Sequence, residues 1–158
     1  KKENLVVKKI AILGGTSTNE IKEQLELFLL KSNIKPEFFE CDYGKYYETV
    51  IFDNKTLFDF KPDFIYIHTS IENIESLNDN NKTNKEKAII EFKKLETIWK
   101  KIDENLKCPI IQDNFEPPFF RPLGNFDITA AEGISNTIFH LNLLIYLPFF
   151  LKIFGIIL

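Results

Sequence analysis

Residues 8–13 read KKIAIL, two lysines and then an unbroken apolar run that stops at Gly14-Gly15, the pattern of a strand buried on both faces. Beyond Asn19 the period changes. Ile21, Leu25, Phe28 and Leu29 recur at helical spacing, and Ser17-x-x-Glu20 spells a capping box that predicts a helix start with Ser17 as its cap. PEFFEC, residues 36–41, predicts a second strand, and DYGKYYETVIF a turn followed by a short helix or irregular segment. KPDFIYIHTS, residues 61–70, predicts a third strand with a polar carboxyl end. After the polar ESLNDNNKTNKEK, a helix is expected over residues 86–106. Its broad stripe of Ile89, Ile90, Phe92, Leu95, Ile98, Trp99 and Ile102 suits packing on a sheet. CPIIQ, residues 108–112, predicts a fourth strand, DNFEPPFFRPLGNFD a long loop of the length that is usually functional or disordered, and residues 130–145 a last helix. Strands alternating with helices predict an α/β fold, a three-layer α/β/α sandwich around a parallel sheet. There is no internal repeat.

Composition narrows the reading. At 158 residues the chain suits one domain with a real core. A net charge of -3 with scattered lysines gives no basic patch, so nucleic acid is not an expected partner. Cys41 and Cys108 stand in apolar strand-like settings without metal spacing, which reads as two buried thiols of a cytoplasmic protein rather than a disulfide or zinc site. No methionine occurs, not even at position 1, so the chain is expected to begin inside a longer reading frame. The last stretch, LNLLIYLPFFLKIFGIIL, carries one charge in residues 141–158. A final buried helix or strand, a membrane-associated segment and sequence read past a frame break all suit it. Pro148 and Lys152 weaken the membrane reading. The domain is accordingly bounded at residues 1–142, with 143–158 as an apolar tail.

In open parallel sheets, ligands sit beyond the carboxyl ends of the strands. Those ends carry Gly14 to Thr18, Asp42 to Gly44, His68 to Ser70 and the loop from Asp113 to Asn125. GGTSTN lacks the spacing of a dinucleotide loop, no G-K-[ST] makes a phosphate loop, and His68 and His140 lack ligand-spaced partners for a metal. A nucleophile-type loop fits better: a hydroxyl after the first strand, with a glycine and polar side chains from the next strand ends, has the parts of an oxyanion hole. Thr16 is the candidate catalytic hydroxyl. Gly14, Gly15, Ser17, Gly44, His68, Asn114, Arg121 and Asn125 are the candidate substrate-binding or oxyanion residues. Bland roles compete at several of these: Ser17 as a helix cap, His68 bonded to backbone, and Thr16 and Thr18 bonded to their own loop. Arg121 is the sole arginine, a planar fork suited to carboxylate or phosphate.

These blocks resemble a known family. ILGGTSTNEI is similar to the first block of SGNH hydrolases, with Gly14, Gly15 and Thr16 where Gly-Asp-Ser is usual, Gly44 as the second-block glycine and HTS near the third-block position. A closer resemblance is to the amino-terminal SGNH-like domain of FkbH-like proteins, the HAD-IIIC group of the haloacid dehalogenase superfamily. It is carried by CDYGKYYETVIFDNKTLFDFKPDFIYI and DNFEPPFFRPLGN and covers about residues 8–142. The resemblance implies an SGNH-hydrolase-like, flavodoxin-like sheet. It also implies a following HAD domain whose D-x-D-x-T motif holds magnesium, and a substrate or partner that is a phosphorylated small molecule or an acyl carrier protein, in some members for polyketide assembly. No D-x-D-x-T occurs here, so no cofactor is expected in this chain, and a domain truncated before its HAD partner is the expectation. Two departures count against esterase chemistry: Gly15-Thr16 replaces Asp-Ser, and no Asp-x-x-His supplies a base, His140 being preceded by Thr137 at that spacing. The expected function is therefore substrate or carrier recognition. A flavodoxin-like non-catalytic binding module and a small SGNH esterase stand as alternatives.

Overall fold

The computed structural model describes the backbone of residues 5–153 and the side chains of residues 5–147. Among the described residues, four strands, β1 (Val6–Gly14), β2 (Ile34–Glu40), β3 (Phe64–His68) and β4 (Ile110–Gln112), alternate with five α-helices: α1 (Asn19–Lys31), α2 (Tyr46–Ile51), α3 (Lys55–Phe60), α4 (Asn84–Asn105) and α5 (Ile134–Ile153). The sheet is all parallel, in the order β2-β1-β3-β4. It is the α/β class with a parallel sheet that the alternation of elements predicts.

β1 explains itself. Ile10, Ala11, Ile12 and Leu13 are all fully buried, although successive side chains point to opposite faces. Both faces of the strand are therefore covered, as in a three-layer sandwich, and the continuous apolar run is the sequence mark of that double burial. Ile10, Ile12 and Leu13 each contribute about 1.5–3 kcal/mol relative to exposure.

The chain divides into two compact units. The first comprises residues 1–69 and 97–113, the second residues 70–96 and 114–158. The first holds the whole sheet. On one of its faces Ala11, Leu13, Ile65 and Ile67 join Tyr46 and Val50 of α2, Leu57 of α3, and Ile98 and Ile102 of α4 in one buried cluster. α1 packs along β2 and buries none of its residues; Leu27 and Phe28 are about two-thirds exposed, so Phe28 is not on the packed stripe that the helical spacing suggests. Ile89 of α4 is likewise exposed.

In the second unit, Asn142 brackets Phe115 by donating to its carbonyl and accepting from its N–H, both at 2.8 Å. Asn84 donates to the carbonyls of Ala130 and Gly133. The buried Asp127 carboxylate accepts the Ser135 N–H at 2.8 Å, which caps α5 and delays its start to Ile134. α5 then runs unbroken to Ile153, so the expected boundary after Asn142 falls inside a helix; the rest of the expected tail lies outside the described residues. Among the described residues no helix is long and apolar enough to cross a membrane.

Candidate functional site

Gly14 is the pivot of the strand ends. A Cβ there would meet the Thr18 methyl carbon at 2.6 Å and the Thr16 carbonyl oxygen at 2.9 Å, so only a glycine lets the loop fold back across the end of β1. The loop is tied on both sides: the Gly15 N–H donates to the His68 carbonyl at 2.8 Å, and the Cys41 thiol accepts the Gly14 N–H at 3.2 Å. Burial pushes that thiol above its ordinary pKa, ahead of a lowering contribution from the Gly14 contact, so it stays protonated at neutral pH. Cys41 and Cys108 are free and half-buried.

α1 begins at Asn19, with Thr18 as the residue before it and no side-chain cap. The capping box expected at Ser17 does not form. Thr18 instead donates to Glu40 on β2 at 3.2 Å, and Glu40 also pairs with Lys22, so a partner from the next strand fixes the helix start. Gly44 has φ +73°, a conformation that favours glycine, and its Cβ position lies 3.8 Å from the Gly15 carbonyl oxygen. Gly14, Thr16, Ser17, Thr18, Asn19, Glu40, Cys41 and Tyr43 line a polar cavity of about 190 Å³.

Register places the other half of the site. Gly14 pairs with His68 across the β1–β3 ladder, and Ile12 with both Glu40 and Tyr66. Glu40, Tyr66 and His68 therefore share a face of the sheet, on either side of the bare Gly14. At the end of β4, Asp113 Oδ2 accepts the Tyr66 hydroxyl at 2.6 Å and lies 2.7 Å from His68 Nδ1. A carboxylate can only accept, so the proton of this bond sits on Nδ1. Burial, then the bond to Asp113, raises the Tyr66 pKa well above the ordinary tyrosine value. Gln112 steadies the strand end, donating to Thr69 Oγ1 at 3.2 Å and the Asp113 carbonyl at 3.1 Å while accepting from Trp99 Nε1 at 3.4 Å.

Gly14, Gly15, Thr16, Ser17, Gly44 and His68 thus belong to one neighbourhood of the first unit. Asn114, Arg121 and Asn125 belong to the second unit, where all three are exposed and the Arg121 guanidinium makes no hydrogen bond or ion pair with a described residue. Sequence reasoning missed Tyr66 and Asp113. Their signals were present: an acid directly after the fourth strand, and a tyrosine two residues before His68 and so on its face. Among the described residues no group of three or more His, Cys, Asp or Glu side chains could hold a metal. The second unit has its own cavity of about 440 Å³, lined among others by Lys82, Asn84, Lys87, Gly133 and Thr137.

A family model for the FkbH N-terminal domain matches residues 9–145. The chain belongs to the FkbH N-terminal domain family. No curated protein matches it. Among solved structures, it is similar to the N-terminal part of the protein BF1531 from Bacteroides fragilis, described as containing a phosphatase domain complexed with Mg. The TM-score is 0.72 at 18% identity, over 88% of this chain and 36% of that one. At that identity the likeness establishes the fold, and this FkbH N-terminal domain spans about a third of the length of that neighbour.

Proposed function

We propose that this FkbH N-terminal domain is the substrate- or carrier-recognition part of a HAD-IIIC phosphatase or glyceryl transferase, whose phosphoryl or acyl chemistry resides in a separate magnesium-dependent domain. The ligand is a phosphorylated small molecule or the acyl group of a carrier protein. The observation that carries this reading is the polar cavity of about 190 Å³ at the β1–α1 loop, lined by the hydroxyl side chains of Thr16, Ser17, Thr18 and Tyr43, in a family named for its amino-terminal position. Further support comes from the neighbour that joins such a fold to a phosphatase domain, and from a sequence without D-x-D-x-T. The sheet order also suits a flavodoxin-like module. The cavity is small against the 300–1,000 Å³ of usual cofactor sites, which favours a short polar ligand over flavin.

The test is titration of the isotope-labelled chain with phosphoglycerate, with acyl carrier protein and with flavin mononucleotide, followed by amide NMR. Phosphoglycerate or carrier protein is expected to shift resonances from Gly14 to Asn19 and at Tyr43. If neither moves them, the recognition reading is lost; flavin binding in their place establishes the module.

A further inference from the structure

The cavity of about 440 Å³ in the second unit has no part in the recognition reading, and a buried hydroxyl with nothing to bond stands in its wall. We propose that it is a second ligand site, which takes the phosphate group of a small phosphorylated molecule between the first turns of α4 and α5.

Four observations carry this. The first is Thr137, which is 1% exposed, lines the cavity, and has no hydrogen-bond partner for its Oγ1. Buried hydroxyls are nearly always bonded, so an open one in a cavity wall marks a place where a bound group completes the set. Ser135 has the other buried hydroxyl without a partner, and it is not in that wall. Thr137 follows Gly133 by four residues and Ile134 by three, and both of these also line the cavity, so one face of the first turn of α5 is turned toward it. Helical side chains lean toward the start of their helix, which carries the Thr137 hydroxyl back to that end.

The second observation is charge. Lys82 and Lys87 line the cavity; Lys82 is paired with Asp79, whereas the Lys87 ammonium donates to the Leu77 carbonyl at 3.2 Å and has no carboxylate partner among the described residues. Glu132 is also in the wall but exposed, and as an acceptor it suits hydroxyl groups on the rest of the ligand. Third, Asn84 and Ile134 are the first residues of α4 and α5 and both line the cavity, so two positive helix ends meet there. Fourth, the wall is fixed in advance. Asn84 donates to the Ala130 and Gly133 carbonyls, each at 3.2 Å, which ties the two helix starts together. A Cβ on Gly133 would lie 1.8 Å from the Asp127 carbonyl oxygen, so only glycine permits this approach.

A phosphate monoester brings three acceptor oxygens and nearly two charges at neutral pH, which matches a lysine, a hydroxyl and two helix ends better than a carboxylate does. The volume falls in the range of about 300–1,000 Å³ usual for ligand pockets, so the phosphate leaves room for a small organic remainder.

The experiment titrates the isotope-labelled full chain with inorganic phosphate, glycerol phosphate and acetate at matched ionic strength and follows amide NMR. Both phosphates are expected to give saturable shifts at Asn84, Lys87, Gly133, Ile134 and Thr137, glycerol phosphate at the lower concentration, and acetate none. Lys87→Gln should weaken binding about 10-fold and Thr137→Val about 5-fold, the loss of one charged and one neutral hydrogen bond. Urea unfolding separates this from a structural role: without phosphate Thr137→Val is expected to be at least as stable as wild type, and with phosphate to gain less. No saturable shift at these amides, acetate acting as phosphate does, or both variants binding like wild type overturns the proposal. Inorganic phosphate bound more tightly than glycerol phosphate marks an anion site only and overturns the assignment to a phosphorylated molecule. The inference does not rest on the recognition reading, whose cavity is scored at Gly14 to Asn19 and Tyr43, so either fails alone.

Discussion

Two carboxylates flank Gly14 on one face of the sheet, and they do different work. Glu40 and Asp113 have similar side-chain exposure, 26% and 31%, and each takes a hydroxyl and a nitrogen donor. At Glu40 the nitrogen is the Lys22 ammonium, and the pair ties α1 to β2. At Asp113 the nitrogen belongs to an imidazole with a second nitrogen facing away from the bond. Position at the strand ends and exposure are alike at the two carboxylates; the donor that each one holds is what differs.

The comparison can be broken at its centre. Gly14→Val puts carbon where the Thr16 carbonyl and the Thr18 methyl now sit, and we expect a loss of about 2–3 kcal/mol in urea unfolding as the loop is pushed off the strand end. Amide shifts should then change at both Glu40 and His68; a change at one alone would mean that the two clusters do not share this pivot. Asp113→Ala strands two donors, both able to reach some solvent, so about 1.5–2 kcal/mol is expected by the same measurement.

Tyr66→Phe removes one of those donors and should lower stability by about 1 kcal/mol at neutral pH. The Tyr66 pKa is raised in the folded protein, first by burial and then by Asp113. The wild-type advantage is therefore complete below the unfolded tyrosine value of about 10 and declines as pH rises toward the folded one. Parallel stability–pH curves for the two proteins up to strongly alkaline pH would contradict that assignment. Smallest of all is Glu40→Gln, at no more than about 1 kcal/mol, reduced further in molar salt because the pair is partly exposed. A salt-insensitive loss as large as that of Asp113→Ala would erase the distinction between the two carboxylates.

Much of the fold was legible because strong local patterns coincide with tertiary burial. IAIL before two glycines is apolar at every position since both faces of β1 are covered, and all four strands overlap the segments expected for them, β1 and β2 each starting two residues earlier than expected. α3 was not anticipated, because six residues carry too little periodicity to stand out; β3 begins at Phe64, directly after the Pro-Asp that was expected to precede it. The misplaced cap has a related cause. Ser-x-x-Glu is a local spelling, whereas the contact that decides where α1 starts comes from Glu40, twenty-two residues beyond Thr18.

The candidate site shows the same limit more sharply. Order along the chain located the strand ends, and Gly14, Gly15, Thr16, Ser17, Gly44 and His68 do gather there. The partnership of His68 with Asp113 spans forty-five residues and depends on β3 and β4 lying side by side in register. A motif search for an acid three positions before a histidine has no means of finding it. Arg121 shows a different case: rarity in the composition drew attention to a side chain that is exposed and makes no polar contact with any described residue.

The hydrogen bond from Trp99 to Gln112 has an optical consequence. Trp99 is the chain's single tryptophan, and the amide it donates to also holds the Asp113 carbonyl. The unmodified domain therefore carries one indole fluorophore, linked by two hydrogen bonds to the end of β4, where a shift in tryptophan emission on adding ligand or acid reports on the surroundings of Asp113.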